Sequence, residues 1–423
     1  MNTAPKPAAA RLDISKWRNV PIILIVVGAV LSLIGFIFYR EQFLFSWLTA
    51  FMFFLSLGLG ALFLVLAHHL FDAGWSVPIR RFCEHISTLL PEMAILFIPI
   101  AAGATSIFPW MNRLAHPDHA LKAKSPLFTI PGFYVSAAFC FAVWFLLSYR
   151  LRHWSLEQDK TGAAKPTHRM RFYSGFGVFL FAITLTLAAV MWMKSLMYEW
   201  FSTMYGVWYF AGSAWLMLAT AYVITMILDE MGILTDVLHE HQYYFIGSLM
   251  FAFTVFYAYV TFAQYFIIWN ANMPEETFWY YVREKGTWFG ISMVIIFGHF
   301  FLPFLALLRI DVKSVFKWMV PLCAWAWLMH WVDLSFNIMP SVSPNGYPFR
   351  FIWLHFGCWA FMGGILAMRF LSKFAAHPPF PVKDPRLIEA MGYYHPVPTQ
   401  ISGGELDQAD DLRDAPPQFR RAG

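Results

Sequence analysis

The chain has 423 residues, with 30 Lys and Arg against 25 Asp and Glu and a formal net charge of +5. Charged residues make up 13% of it and hydrophobic ones 59%, where an ordinary soluble domain carries about 25% charged residues, so a soluble multi-domain enzyme, a disordered chain and a collagen-like repeat are excluded. The basic residues fall in short runs between apolar stretches, which points to membrane topology and away from nucleic acid.

Apolar stretches near the ~20 residues that cross about 30 Å of hydrocarbon recur at roughly 19–39, 43–72, 83–110, 127–150, 171–196, 206–228, 242–270, 286–308, 315–338 and 350–372. They predict an all-α polytopic membrane protein of about ten transmembrane helices, arranged as two helical bundles plus peripheral helices. An N-terminal tail over 1–18, a membrane domain over 19–372 and a C-terminal tail over 373–423 follow. The first span follows Lys6, Arg11, Lys16 and Arg18 and lacks a small-residue cleavage site, so it is expected to stay as an anchor. With a cytoplasmic N-terminus the inner segments hold 17 Lys and Arg and the outer ones eight, which favours both termini inside. The loop from Asp229 to His241 dissents, because it has no Lys or Arg. Residues 1–10 and 377–423 lack a sustained apolar period and are expected to stand free of the membrane fold. The abundant Phe, Trp and Tyr are expected at the lipid surface and in aromatic belts.

Polar groups inside spans are costly and normally face a bundle interior or a water-filled cavity. In the seventh span Thr254, Tyr257, Thr261 and Gln264 follow spacings of 3, 4 and 3, which places them on one helical stripe. Tyr257, Thr261 and Gln264 are candidates for lining a quinone head or a proton wire, or for gluing helices together. In the ninth span His330, Asp333 and Asn337 share a face, and an aspartate one turn from a histidine suits a proton relay or a capped interfacial pair. At the predicted inner end, His69, His85 and Glu92 form a candidate proton half-path, with a neutral Glu bonded to a neighbouring helix as the bland alternative. His299 and His355 lie at different depths and make a poor b-haem pair; His299 is kept as a further proton-path candidate. Cys83, Cys140, Cys323 and Cys358 form no Cys-x-x-Cys, Cys-x-x-Cys-His or ferredoxin-like run, so the chain carries no sequence-readable iron–sulfur cluster or c-type haem.

Two stretches carry a resemblance. FAFTVFYAYVTFAQYFIIWNANMPEETFWY, from Phe251 to Tyr280, and FFLSLGLGALFLVLAHHLFDAGWSVPIRR, from Phe53 to Arg81, resemble the ActF family of membrane proteins from bacterial alternative complex III. The ten-span plan and HWVDLSFNIMP, from His330 to Pro340, fit the same family, whereas DVLHEHQYYFIGSLMF before the seventh span departs from its pattern, so no proton entry at Asp236, Glu240 and His241 is carried over. The resemblance implies an integral, non-redox component of a quinol oxidoreductase assembly in the bacterial inner membrane, related in fold to polysulfide-reductase-like (NrfD-type) quinone proteins. Its expected partners are a paralogous quinone-binding membrane protein, an iron–sulfur protein, c-haem proteins, lipids and a terminal oxidase. The iron–sulfur clusters and c-haems would sit in those partners, with a quinone as the candidate ligand of this chain. Two other readings stay open: that the chain itself binds and oxidises quinol, and that it is a secondary transporter, although no matching pair of Gly/Pro-interrupted spans supports the latter.

Overall fold

A computed structural model describes residues 17–391. Ten long helical rods make it up: α1 Asn19–Phe38, α2 Arg40–Leu70, α3 in three pieces (Val77–Ser87, Leu90–Leu96, Ile98–Ala102), α4 Ile130–Thr161, α5 Ala164–Trp192, α6 Tyr205–Glu230, α7 Glu240–Ala271, α8 Gly286–Leu308, α9 Phe316–Ile338 and α10 Ile352–Ala375. Among the described residues there is no strand, and nine helices are long and apolar enough to cross a membrane. The chain is an all-α, multi-pass membrane protein.

The remaining rod is α9. Its 23 residues reach across the hydrocarbon at about 1.5 Å each, but His330, Asp333, Asn337 and four tryptophans dilute its hydropathy. Its polar face is buried against protein, while Trp318, Pro321, Ala324 and Leu328 on the other face are exposed.

Helices α2–α5 pack as one bundle and α6–α9 as a second, with α2 against α6 at the seam. The seam is tight because Gly60 has no side chain: a Cβ there would lie 2.2 Å from the Ser213 carbonyl oxygen. Helices α1 and α10 form a peripheral antiparallel pair beside α2. There Gly28 lets the backbones meet, since its Cβ would fall 2.3 Å from the Phe361 nitrogen. Without water to drive apolar surfaces together, such close backbone approach is what holds membrane helices.

Two expectations are corrected. The tail expected to stand free from His377 onward is packed as far as Met391: Phe380, Asp384, Leu387 and Ala390 are buried. This strap crosses the ends of four helices. Val382 N donates to Asp159 Oδ1 at 3.0 Å on α4, Arg386 reaches Asp72 after α2 at 2.8 Å, Asp384 pairs with Arg80 of α3, and Gln242 of α7 donates to the Ala390 carbonyl at 2.8 Å. The second correction concerns the aromatics. Trp110, Trp144, Trp192, Trp200, Trp215 and Trp288 are fully buried, so much of the ring content builds the two cores and not the lipid surface.

Candidate functional site

The interior of the second bundle is polar. Every member of the α7 stripe faces into it or its outer rim. Thr254 accepts the Trp215 indole N–H at 2.8 Å and donates to the Met250 carbonyl, and the Tyr257 ring lies on the His299 imidazole with centroids 4.0 Å apart. The Thr261 hydroxyl is buried without a partner. Gln264 accepts from Ser202 at 2.6 Å and donates to the Tyr280 hydroxyl at 3.3 Å at the rim.

His299 sits in a π-helical turn, Ile295–Phe301, midway along α8. Such turns push one extra residue out of the regular ladder and recur at functional sites. Here the turn presents the imidazole between Trp215, at 4.4 Å, and Tyr257, with neither ring nitrogen hydrogen-bonded.

On α9 the His/Asp pair expected from sequence is divided. His330 turns to α2: its Nε2 is 2.8 Å from Ser56 Oγ. Ser56 already donates to the Phe53 carbonyl at 2.7 Å, so the serine oxygen accepts and the histidine carries its proton on Nε2, leaving Nδ1 as an unpartnered acceptor. The ring fits only because residue 212 of α6 is glycine, where a Cβ would stand 2.9 Å from His330 Cε1. Asp333 turns the other way. Its Oδ1 receives the Asn337 amide at 3.5 Å, and Oδ2 has no hydrogen-bond partner. The Tyr257 hydroxyl and the Trp208 indole face this carboxyl, outside hydrogen-bonding geometry.

The polar string continues outward. Tyr205 donates to Asn337 Oδ1 at 3.3 Å, and beyond it Arg283 closes the end of the bundle. This guanidinium is 2% exposed and ends on backbone carbonyls: Trp279 at 2.9 Å, Phe336 at 3.1 Å and Asn337 at 3.0 Å. It therefore caps the C-terminal carbonyls of α9, where the helix dipole favours a cation, and stacks 3.4 Å above the Trp279 ring. Burial pushes its pKa down to about 9, with Tyr205 and Tyr280 opposing that shift, and it stays a cation at neutral pH.

The three inner candidates do not join this string. His69 is fully buried against His68, with ring centroids 4.8 Å apart and no partner at either nitrogen. His68 itself bridges Ser76, at 2.6 Å, and Arg80, at 3.1 Å. His85 accepts from Arg152 at 2.6 Å on Nδ1. Glu92 lies beyond the break in α3 and is ion-paired with Lys373 at 2.9 Å and Arg369 at 3.3 Å of α10. Its partners thus lie on the neighbouring helix α10 and both are cations. His85 and Glu92 thus line the α10 side of α3, whereas His69 belongs to the cluster under the strap.

Among the described residues that cluster brings together the most buried ion pairs. Arg80 meets Glu84 at 3.1 Å, Asp384, Gln158 and His68, and Arg81 meets Glu84 at 3.1 Å and Asp159. Arg386 adds Asp384 at 2.9 Å and Asp72 at 2.8 Å. Burial alone would raise the Asp384 carboxyl, but Arg80 and Arg386 outweigh it and hold it well below the usual carboxylate range. Among the described residues no group of three or more His, Cys, Asp or Glu is placed to hold a metal ion.

Ser56, Gly212, Tyr205, Trp208 and Arg283 escape a reading of the sequence alone. From spacing, Arg283 reads only as an outer basic residue, and the aromatic pair only as belt. A lone serine in an otherwise apolar stretch of α2 is the available signal, and nothing local says that it meets a histidine 274 residues away. No protein-family model matches the chain, and no curated protein matches it.

Proposed function

We propose that this chain is an integral, non-redox subunit of a quinol-oxidising electron-transfer complex, and that the polar string of its second bundle conducts protons. One observation supports the reading above the others. The second bundle gathers buried titratable groups without a full set of protein partners: His330 at Nδ1, His299 at both ring nitrogens and Asp333 at Oδ2. A buried carboxylate without a partner is costly, and it is kept where it exchanges protons, water bridging the gaps between groups. Quinol oxidation releases two protons with two electrons, so such an assembly needs a route outward, and Asp333, Asn337 and Tyr205 lead from the bundle interior towards the end that Arg283 closes.

In this reading the iron–sulfur clusters and c-haems belong to partner proteins, the membrane is a bacterial inner membrane, and both termini face the cytoplasm. His85 and Glu92, on the α10 side of α3, serve as a separate proton entry on the inner side, without His69. The deciding experiment is purification of the chain from its native membrane, with a haem spectrum and an inventory of the proteins that accompany it. Co-purifying haem-bearing partners are expected; a chain that isolates free of them and catalyses solute flux in liposomes is a transporter instead.

A further inference from the structure

The π turn of α8 needs a hydrogen-bond donor that its own helix does not have. In a regular α-helix the Leu302 N–H would bond the Gly298 carbonyl, four residues back. In the turn Leu302 donates one residue further, to the Phe297 carbonyl, and the N–H that should then serve Gly298 belongs to residue 303. That residue is proline and has none. Gly298 is buried, where a carbonyl without a donor is costly.

Trp325 supplies the missing bond from the neighbouring helix. Its indole Nε1, on α9, donates to the Gly298 oxygen at 2.7 Å. The approach depends on glycine, since a Cβ at position 298 would stand 2.8 Å from Met329 Sδ and 3.1 Å from Trp325 Cζ2. An indole in an apolar interior needs some acceptor; the one it takes here is the carbonyl that the Leu302 shift and Pro303 together leave open.

The next residue in the turn is His299, and no hydrogen bond to either ring nitrogen holds it in place. Tyr257 on α7 and Trp215 on α6 only flank the imidazole, with centroids 4.0 and 4.4 Å away. Its position is therefore set by the backbone of the turn. Closing the turn to a regular helix would shift one half of α8 against the other by one residue, about 100° of rotation and about 1.5 Å of rise. That shift would take the imidazole off the Tyr257 ring.

We propose that Trp325 is a positioning residue for His299: its indole N–H latches the π turn open, and through the turn it keeps the imidazole beside Tyr257 in the polar string. The consequence for proton transfer rests on the proposed function, whereas the placement of the ring does not.

The test uses the full-length chain in nanodiscs and the substitution Trp325→Phe, which keeps a large ring and loses the N–H. Two measurements read the turn. Nitroxides attached at Val294→Cys and Leu305→Cys, on either side of the turn and 45% and 60% exposed, report access to oxygen dissolved in the bilayer; the four native cysteines are buried. NMR of labelled histidine reports the His299 ring protons, assigned by their absence in His299→Gln and shifted upfield by the two flanking rings. In Trp325→Phe at least one nitroxide should lose oxygen access and the His299 resonances should move downfield. Trp325→Gln, whose amide reaches about as far as the indole nitrogen, should restore both. Unchanged access and unchanged resonances in Trp325→Phe overturn the proposal. So does a Trp325→Gln chain that behaves like Trp325→Phe, because the ring and not its N–H would then hold the turn. A displaced imidazole with unchanged proton release by the intact complex leaves Trp325 as the latch and removes His299 from the proton route. An undisplaced imidazole overturns the latch whatever the proton release.

Discussion

The two bundles share an architecture and differ in what fills them. The first closes on rings: Phe51, Phe97, Trp144 and Trp192 are buried together, with Phe97 and Trp192 centroids 4.7 Å apart and Trp144 and Trp192 6.0 Å apart. Its indoles are satisfied only in part: Trp144 Nε1 meets Thr184 at 2.9 Å, while the buried Trp192 Nε1 has no partner. The second closes on His299, His330, Asp333 and Asn337. Four packed helices need no polar interior, so the second bundle carries its buried titratable groups at the expense of stability, which is the signature of a site. The first bundle carries its charge at one end instead, in the Arg80 cluster, where each cation meets a carboxylate. The difference lies in pairing: each arginine at the end of the first bundle meets a carboxylate, whereas in the second His299 and the Asp333 Oδ2 meet no protein partner; His69, beside the arginine cluster, is the first bundle's exception.

The largest effect should come from breaking the paired charge. Arg80→Ala leaves Glu84 to Arg81 alone and Asp384 to Arg386 alone, and since removal of one partner of a buried pair costs about 3–5 kcal/mol, the loss here should fall towards the lower end. It should lower the thermal midpoint of the detergent-solubilised chain and release the strap to protease near Phe380. A strap that stays protected in Arg80→Ala would show that its apolar contacts suffice. The Asp384 carboxyl titrates below its usual value in the folded chain, so its contribution is present above the unfolded carboxylate pKa and is lost only as pH falls through the depressed folded one. His377 at the start of the strap acts at higher pH: burial and Arg152 hold its imidazole below the usual range, so its contribution is lost as pH falls below about 6.5, where the unfolded imidazole protonates. Protease protection should therefore be weaker at pH 5 than at pH 8, with no further loss from Asp384 in that window.

Asp333→Asn should act in the opposite manner. The amide keeps the shape and removes the proton site, so unfolding should be unchanged or slightly later, while proton release by the intact complex falls about a hundredfold, the lower end of what a positioned acid or base contributes. Unchanged quinol oxidation with unchanged acidification would move function out of the second bundle altogether. The same substitution should leave the inner side untouched, because Asp333 shares no hydrogen bond with His85, His69 or Glu92.

Much of this is legible in the sequence, and the pattern of what is not is physical. The ten rods announce themselves because about 20 apolar residues in a row seldom serve any purpose but crossing a bilayer, and the α7 stripe follows from spacing alone. The α9 face is legible too, but not which way each side chain turns. Spacing places His330 and Asp333 one turn apart, while the partner of His330 is fixed by Ser56 and by space at Gly212, both brought in by tertiary packing. The strap stays hidden for a related reason. Its buried charges read as solvent-loving until the buried arginines of α3 are seen to need them. Arg80 and Arg81 read as topology signals, yet both are buried in ion pairs.

Gly212→Ala sharpens the contrast at the seam. A methyl 2.9 Å from His330 Cε1 must displace either the ring or α6, an overpacking strain of about 1–3 kcal/mol. If the ring yields, the Ser56 bond breaks and proton release falls along with stability; if α6 yields, only stability falls. Measuring both on one variant decides whether the His330 position is set by the seam or by its hydrogen bond.

Ser56→Ala asks the same question from the other side of the bond and should have the smallest effect. It removes an acceptor from a buried imidazole N–H, which costs about 1–3 kcal/mol if nothing replaces it. The second bundle offers no protein acceptor in its place. A tautomer shift would move the proton from Nε2 to the Nδ1 edge, which lies beside Gly212 and has no partner of its own. That edge gains no acceptor unless water enters, so the loss should settle near ~1 kcal/mol, the value for a bond exchanged for a hydrated one. A ring-nitrogen NMR shift on labelled His330 reads the tautomer directly. Retention of the Nε2–H form in Ser56→Ala would mean that water already reaches this face of α2. The serine would then be one station on the route for protons, and the string would extend across the seam into the first bundle.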